Sequence, residues 1–93
     1  MNHYRMGYKA ELALIKLLKQ RKEFHTVLRS AGSRSSFDVV AIGKTRVLLC
    51  QVKTGKGSFK AEREKLRPLQ VPGSVRKQVR IYRNKKWKVL SVA

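Results

Sequence analysis

The chain has 93 residues, too few for two independent cores, and its 42% of apolar residues suffice for one modest core. Twenty-three Lys and Arg against five Asp and Glu leave a formal charge of +18, which makes a polyanion the expected partner and nucleic acid the obvious one. No apolar run approaches the roughly 20 residues of a bilayer span, and the segment from Met1 to Glu11 lacks the apolar stretch of a secretory signal. An intracellular, soluble protein with no membrane partner is therefore expected. Cys50 is the only cysteine, and no Cys/His cluster has zinc-ligand spacing. Stability must come from packing, within the chain or shared with a second copy.

From about Arg5 to Lys22 the periodicity is helical, with Leu14, Ile15 and Leu18 on one stripe and Leu12 and Leu17 on its flanks. At about 100° per residue, Glu11 falls within that stripe, so a carboxylate points toward the core side. Arg5, Lys9 and Lys16 share another face, either a solvated basic surface or a phosphate contact. Phe24 to Ser30 alternates as a strand does. The stretch Ser30-Ala31-Gly32-Ser33-Arg34-Ser35-Ser36 then reads as a loop whose hydroxyls and N–H groups suit phosphate oxygens. Phe37 to Ile42 and Arg46 to Lys53 flank Gly43-Lys44-Thr45 as a hairpin, and their nearly continuous apolar character predicts central strands covered on both faces.

Thr54 to Ser58 forms a loop, and Phe59 to Leu66 a short charged helix ending before Pro68. Val75 to Arg83 and Trp87 to Val92 read as two strands around Asn84-Lys85. The expected fold is α/β, a single small domain over residues 1–93 with a central mixed sheet flanked by helices, in the order αβββαββ.

The carboxylates are Glu11, Glu23, Asp38, Glu62 and Glu64. Asp38 lies in an apolar strand, where an unpaired charge is costly and a cation partner is needed. Two-residue periodicity puts Gln51 and Lys53 on one face of the neighbouring strand, beside Asp38 if the hairpin pairs as read. Glu11 is expected to approach from the helix covering that face.

Asp38, a hairpin and then Gln51-Val52-Lys53, with Glu11 on a preceding helix, resembles the pattern of the PD-(D/E)xK nuclease superfamily. More closely, Arg5 to Glu11, Arg29-Ser30-Ala31-Gly32-Ser33 and Phe37-Asp38-Val39-Val40-Ala41 resemble archaeal-type Holliday-junction resolvases, over about Tyr4 to Thr54. The resemblance implies a restriction-endonuclease-like fold and a Mg²⁺-dependent, structure-selective endodeoxyribonuclease that resolves four-way DNA junctions by paired cuts as a homodimer. Mn²⁺ is expected to substitute for Mg²⁺. It further implies Glu11, Asp38, Gln51 and Lys53 as catalytic residues. Asp38, Gln51, the Val52 carbonyl and Glu11, directly or through water, would serve a metal, and Lys53 would orient the attacking water and offset phosphate charge. Arg29 and Ser33 would contact DNA near the cut, with Arg5, Lys9, Ser30, Arg34, Ser36 and Lys56 nearby.

Oxygen ligands suit Mg²⁺, which keeps several waters and needs few carboxylates. Gln51 departs from the usual acid, removing one negative charge and weakening metal affinity. The competing readings are an inactive DNA-binding module, in which Asp38 and Lys53 form a structural ion pair, and a nuclease for other branched or damaged DNA. The remaining cations, among them Lys60, Arg63, Lys65, Arg67, Arg76, Lys77, Arg80, Arg83, Lys85, Lys86 and Lys88, outnumber the acids and are expected mostly to face solvent or DNA. Tyr82 and Trp87 read as core or interface aromatics, and Cys50 as a buried strand residue.

Overall fold

A computed structural model describes residues 3–30 and 36–92, the side chains of residues 3–5 apart. Helix α1 spans His3–Lys19, followed by strands β1 (Phe24–Arg29), β2 (Val39–Gly43) and β3 (Val47–Thr54), helix α2 (Lys60–Leu66), and strands β4 (Val75–Arg83) and β5 (Lys86–Val92). The order αβββαββ is the expected one. The strands form one mixed sheet in the order β1-β2-β3-β4-β5, in which only β3 and β4 run parallel. That parallel pair requires the crossover supplied by α2.

Sheet alternation produces two cores, one on each face. Leu14 and Leu18 of α1 pack with Phe24, Val27, Val39, Ala41, Leu48 and Cys50. Leu66 of α2 packs with Val79, Ile81 and Val92 on the other face, flanked by Phe37 and Phe59. Helix α1 lies over β1, β2 and β3, whereas α2 lies over β4 and β5. The expectation that the β2–β3 hairpin is covered on both faces is therefore corrected: among the described residues no helix packs on the face of β1 and β2 opposite α1, and Leu28 on β1 is 53% exposed.

Local chemistry explains the ends. Lys16 and Lys19 occupy the last turn of α1, where cations complement the carbonyl end of the helix dipole. Position 43, at the end of β2, requires glycine because a Cβ there would collide with the Glu23 carbonyl. Asn84 and Lys85 adopt φ of 52° and 61°, the left-handed pair of a two-residue hairpin turn.

Two basic residues expected at the surface are buried. Lys77 is 5% exposed and its Nζ donates to the carbonyls of Leu66 (2.7 Å), Arg67 (3.1 Å) and Leu69 (2.6 Å) at the end of α2, where the Leu66 carbonyl also accepts from the Leu69 N–H. Arg80 is 7% exposed, donates from Nε to Gln78 Oε1 at 2.9 Å and lies against the Cys50 thiol. Burial depresses the Arg80 pKa from the ordinary guanidinium value.

Candidate active site

The regular β2–β3 ladder stops at Val39↔Cys50, and Asp38 departs from it. Its N–H donates to Cys50 O at 2.8 Å, toward β3, while its C=O accepts from Ser30 N–H at 2.9 Å, on the β1 side. This local twist, of the kind a β-bulge makes, re-aims the side chain. Asp38 Oδ2 accepts the Val52 N–H at 2.8 Å. The expected cation partner for Asp38 is thus replaced by a backbone donor, which stabilises a part-buried carboxylate by a charge-assisted bond. The Val52 carbonyl faces the same strand edge as its N–H.

Gln51 and Lys53 share a face, as the two-residue period requires. They pair in register with Val79 and Ile81, which belong to the α2-side core. Helix α1 covers the alternate face, that of Leu48, Cys50 and Val52. The expectation that Glu11 approaches from the helix over the Gln51 face is therefore corrected. Glu11 does point inward, with its side chain 17% exposed, and accepts from Arg29 Nε at 2.9 Å. The Arg29 guanidinium also stacks on the Tyr8 ring, 4.5 Å from its centroid. Arg29 immediately precedes Ser30, whose N–H holds the Asp38 carbonyl, so Glu11, Arg29, Ser30 and Asp38 form one connected chain.

Tyr8 is the participant that residue-by-residue reading passed over. It precedes Glu11 by one helical turn, and i,i+3 spacing was the available signal. Among the other expected residues, Lys9, Ser36 and Lys56 are exposed and Ser30 is half-buried. Arg5 lies in α1 with its side chain outside the described residues, as Ser33 and Arg34 are entirely. Cys50 is buried between the site and α1, and desolvation pushes its thiol up to about 11.

The donor set fits a hard divalent cation. Among the described residues no three His, Cys, Asp or Glu side chains cluster as metal ligands, but amide and carbonyl oxygens lie outside that set. Gln51 Oε1 is buried without any hydrogen-bond partner. Among the described residues the other such atom is Arg63 Nε, which keeps an ion pair with Glu64 at 3.4 Å. A buried acceptor left without a donor carries a desolvation cost and calls for a missing partner. A cation supplies one, and Asp38 with the Val52 carbonyl adds further oxygen donors of the type Mg²⁺ accepts.

Against known proteins, the family model for the archaeal Holliday junction resolvase (hjc) matches residues 2–92. The chain belongs to this family. Among solved structures it is similar to the 1.6 Å structure of Archaeoglobus fulgidus Hjc, described as a Holliday junction resolvase from an archaeal hyperthermophile. The two share 23% identity and a TM-score of 0.71, over 94% of this chain and 73% of that one. At this identity the likeness establishes the shared resolvase fold. No curated protein matches the chain.

Proposed function

We propose that residues 1–93 form a divalent-metal-dependent endodeoxyribonuclease domain that resolves four-way DNA junctions by paired, symmetric phosphodiester hydrolysis. The observation that carries this reading is the buried, partnerless Gln51 Oε1, next in sequence to the Val52 N–H that fixes Asp38. Membership of the resolvase family supports the junction as substrate. Asp38, Gln51 and the Val52 carbonyl would hold Mg²⁺, or Mn²⁺ in its place. When bound, the ion supplies Lewis-acid polarisation of the scissile phosphate and a lowered pKa for water.

The chain's own side chains do the rest. Lys53, two residues along the same strand face, orients the attacking water and offsets charge on the phosphate. Glu11 acts through water and is held by Arg29. Arg29, Ser30, Ser33, Arg34, Ser36, Arg5, Lys9 and Lys56 contact the DNA backbone around the cut. Two symmetric incisions need two such sites, so the working form is a homodimer, acting inside the cell where the DNA is. The apolar sheet face around Leu28 supports association.

The test is cleavage of a labelled immobile four-way junction beside a linear duplex of equal length, with Mg²⁺ or EDTA, using wild type and Asp38→Asn. Paired cuts in the junction alone, abolished by EDTA and by the substitution, are expected. Binding without cutting, even with Mn²⁺, would make the chain a DNA-binding module. Equal cutting of flaps or nicked duplexes would broaden its substrate.

A further inference from the structure

Because α1 packs chiefly over β1–β3, a groove remains between its outer flank and the β4–β5 hairpin. Two cavities mark this trough. One of ≈ 410 Å³ is lined by Lys9 of α1, Thr54 and Lys56 after β3, and Tyr82. The next, ≈ 300 Å³, is lined by Lys16 and Leu17 of α1 and by Tyr82, Lys85 and Trp87. Tyr82 lines both, so the two adjoin at its ring.

The walls combine charge with aromatic surface. Lys9, Lys16, Lys56 and Lys85 are all exposed. Among the described residues no carboxylate lines either cavity, so the lysines meet no counter-charge from the walls. Tyr82 and Trp87 stack with centroids 4.6 Å apart and form the apolar floor. One end of the trough is held rigidly: Arg83 Nε donates to Gly55 O at 2.8 Å and Nη2 to Gly57 O at 2.9 Å, pinning the Lys56 loop to the hairpin. That end adjoins Thr54, next to Lys53.

We propose that this trough seats one strand of a DNA arm leaving the active-site end of β3, with Lys9, Lys16, Lys56 and Lys85 on its phosphates. Lys9 and Lys16 lie about 10 Å apart along the helix axis, a span that two flexible lysine side chains can bridge to nearby phosphates of one strand. Charge selects the occupant, since a trough lined by lysines and lacking carboxylates suits a polyanion. The proposal takes DNA as the ligand from the reading above and extends it by assigning the path of an arm.

The experiment measures junction affinity of the full chain in EDTA across a salt series. Lys16→Gln combined with Lys85→Asn is compared with wild type and with Lys44→Gln, in the β2–β3 turn at the far end of β3. Both substituted positions are exposed, and asparagine tolerates the positive φ at residue 85. The slope of log affinity against log salt should fall in magnitude by about 1.8 for two lost phosphate contacts, with Lys44→Gln unchanged. DNA should also protect Trp87, the chain's one tryptophan, from acrylamide quenching. A slope equal to that of Lys44→Gln, or unaltered quenching, overturns the assignment. Cleavage by wild type in Mg²⁺ is scored separately. A lowered slope without cleavage keeps the trough and removes the resolvase reading, and cleavage with an unchanged slope does the reverse.

Discussion

Replacing Gln51 with methionine removes a buried oxygen while keeping an unbranched side chain of similar length. In the metal-free protein Oε1 is buried with no donor, and an unsatisfied buried acceptor costs about 1–3 kcal/mol. Gln51 is half-buried as a whole, so the lower part of that range applies, about 1–2 kcal/mol. For a domain of this size each kcal/mol moves the thermal midpoint by about 4–8 °C. In EDTA, Gln51→Met should therefore melt several degrees above wild type.

Adding Mg²⁺ should reverse the order. A ligand that binds only the folded state adds about 2.7 kcal/mol of stability at a hundredfold excess over Kd. Wild type should gain it and Gln51→Met should not. Differential scanning calorimetry with EDTA and with saturating Mg²⁺ reads both halves. The reasoning fails if Gln51→Met is less stable than wild type in EDTA, or if the two proteins gain equally from Mg²⁺.

Three further outcomes test the surrounding structure. Lys77→Met strips the Leu66, Arg67 and Leu69 carbonyls of their shared donor and should cost about 3–4 kcal/mol in a urea melt; a loss below about 1 kcal/mol would refute that role. Glu11→Gln should lower turnover about 10–100-fold, as loss of a group supporting a metal site does, with a smaller change in junction binding; equal losses would count against the assignment. Burial lifts the Cys50 thiol from its ordinary 9.0 to about 11, so between these pH values the unfolded chain has released a proton that the folded one retains. Stability should then fall by about 1.4 kcal/mol per pH unit across that window and be unaffected below it. Urea melts of wild type and Cys50→Ala check this, because the variant should lack the decline.

What was legible in the sequence was what local period and composition control. The stripe of Leu14 and Leu18 placed α1, alternation placed β1, apolar runs around Gly43-Lys44-Thr45 placed β2 and β3, and Asn84-Lys85 marked a turn that then required positive φ at both residues. The association of Asp38 with β3 was legible too, because a hairpin fixes its neighbour. What escaped depends on contacts distant in sequence. Nothing local says that Lys77 will find three carbonyls 8 to 11 residues earlier, or that Arg80 will turn inward toward Cys50. Counting cations predicts a basic surface but not which cations leave it. Likewise, the face that α1 covers is a tertiary choice, and both faces of β3 carry apolar residues enough to accept a helix.

The placement of charge at the site has a consequence for how metal and DNA bind. Asp38 contributes one negative charge, Gln51 none, and the Glu11 carboxylate is already paired with Arg29. The whole chain carries +18, which disfavours a free divalent cation. On the proposed reading a junction would supply the missing negative charge through its phosphates, so each ligand should raise affinity for the other. Couplings of this kind run from about 5- to 150-fold and are reciprocal. Lys53→Ala, which keeps Asp38, Gln51 and Val52 while removing the residue assigned to the attacking water, allows the measurement without cleavage. Mg²⁺ titrated by calorimetry should bind Lys53→Ala more tightly when junction DNA is present. Adding Gln51→Glu should tighten the DNA-free binding and shrink the coupling, because the protein then provides the charge itself. A Mg²⁺ affinity indifferent to DNA would show that Asp38 and Gln51 suffice to hold the ion, and that a neutral amide at position 51 does not make the site depend on its substrate.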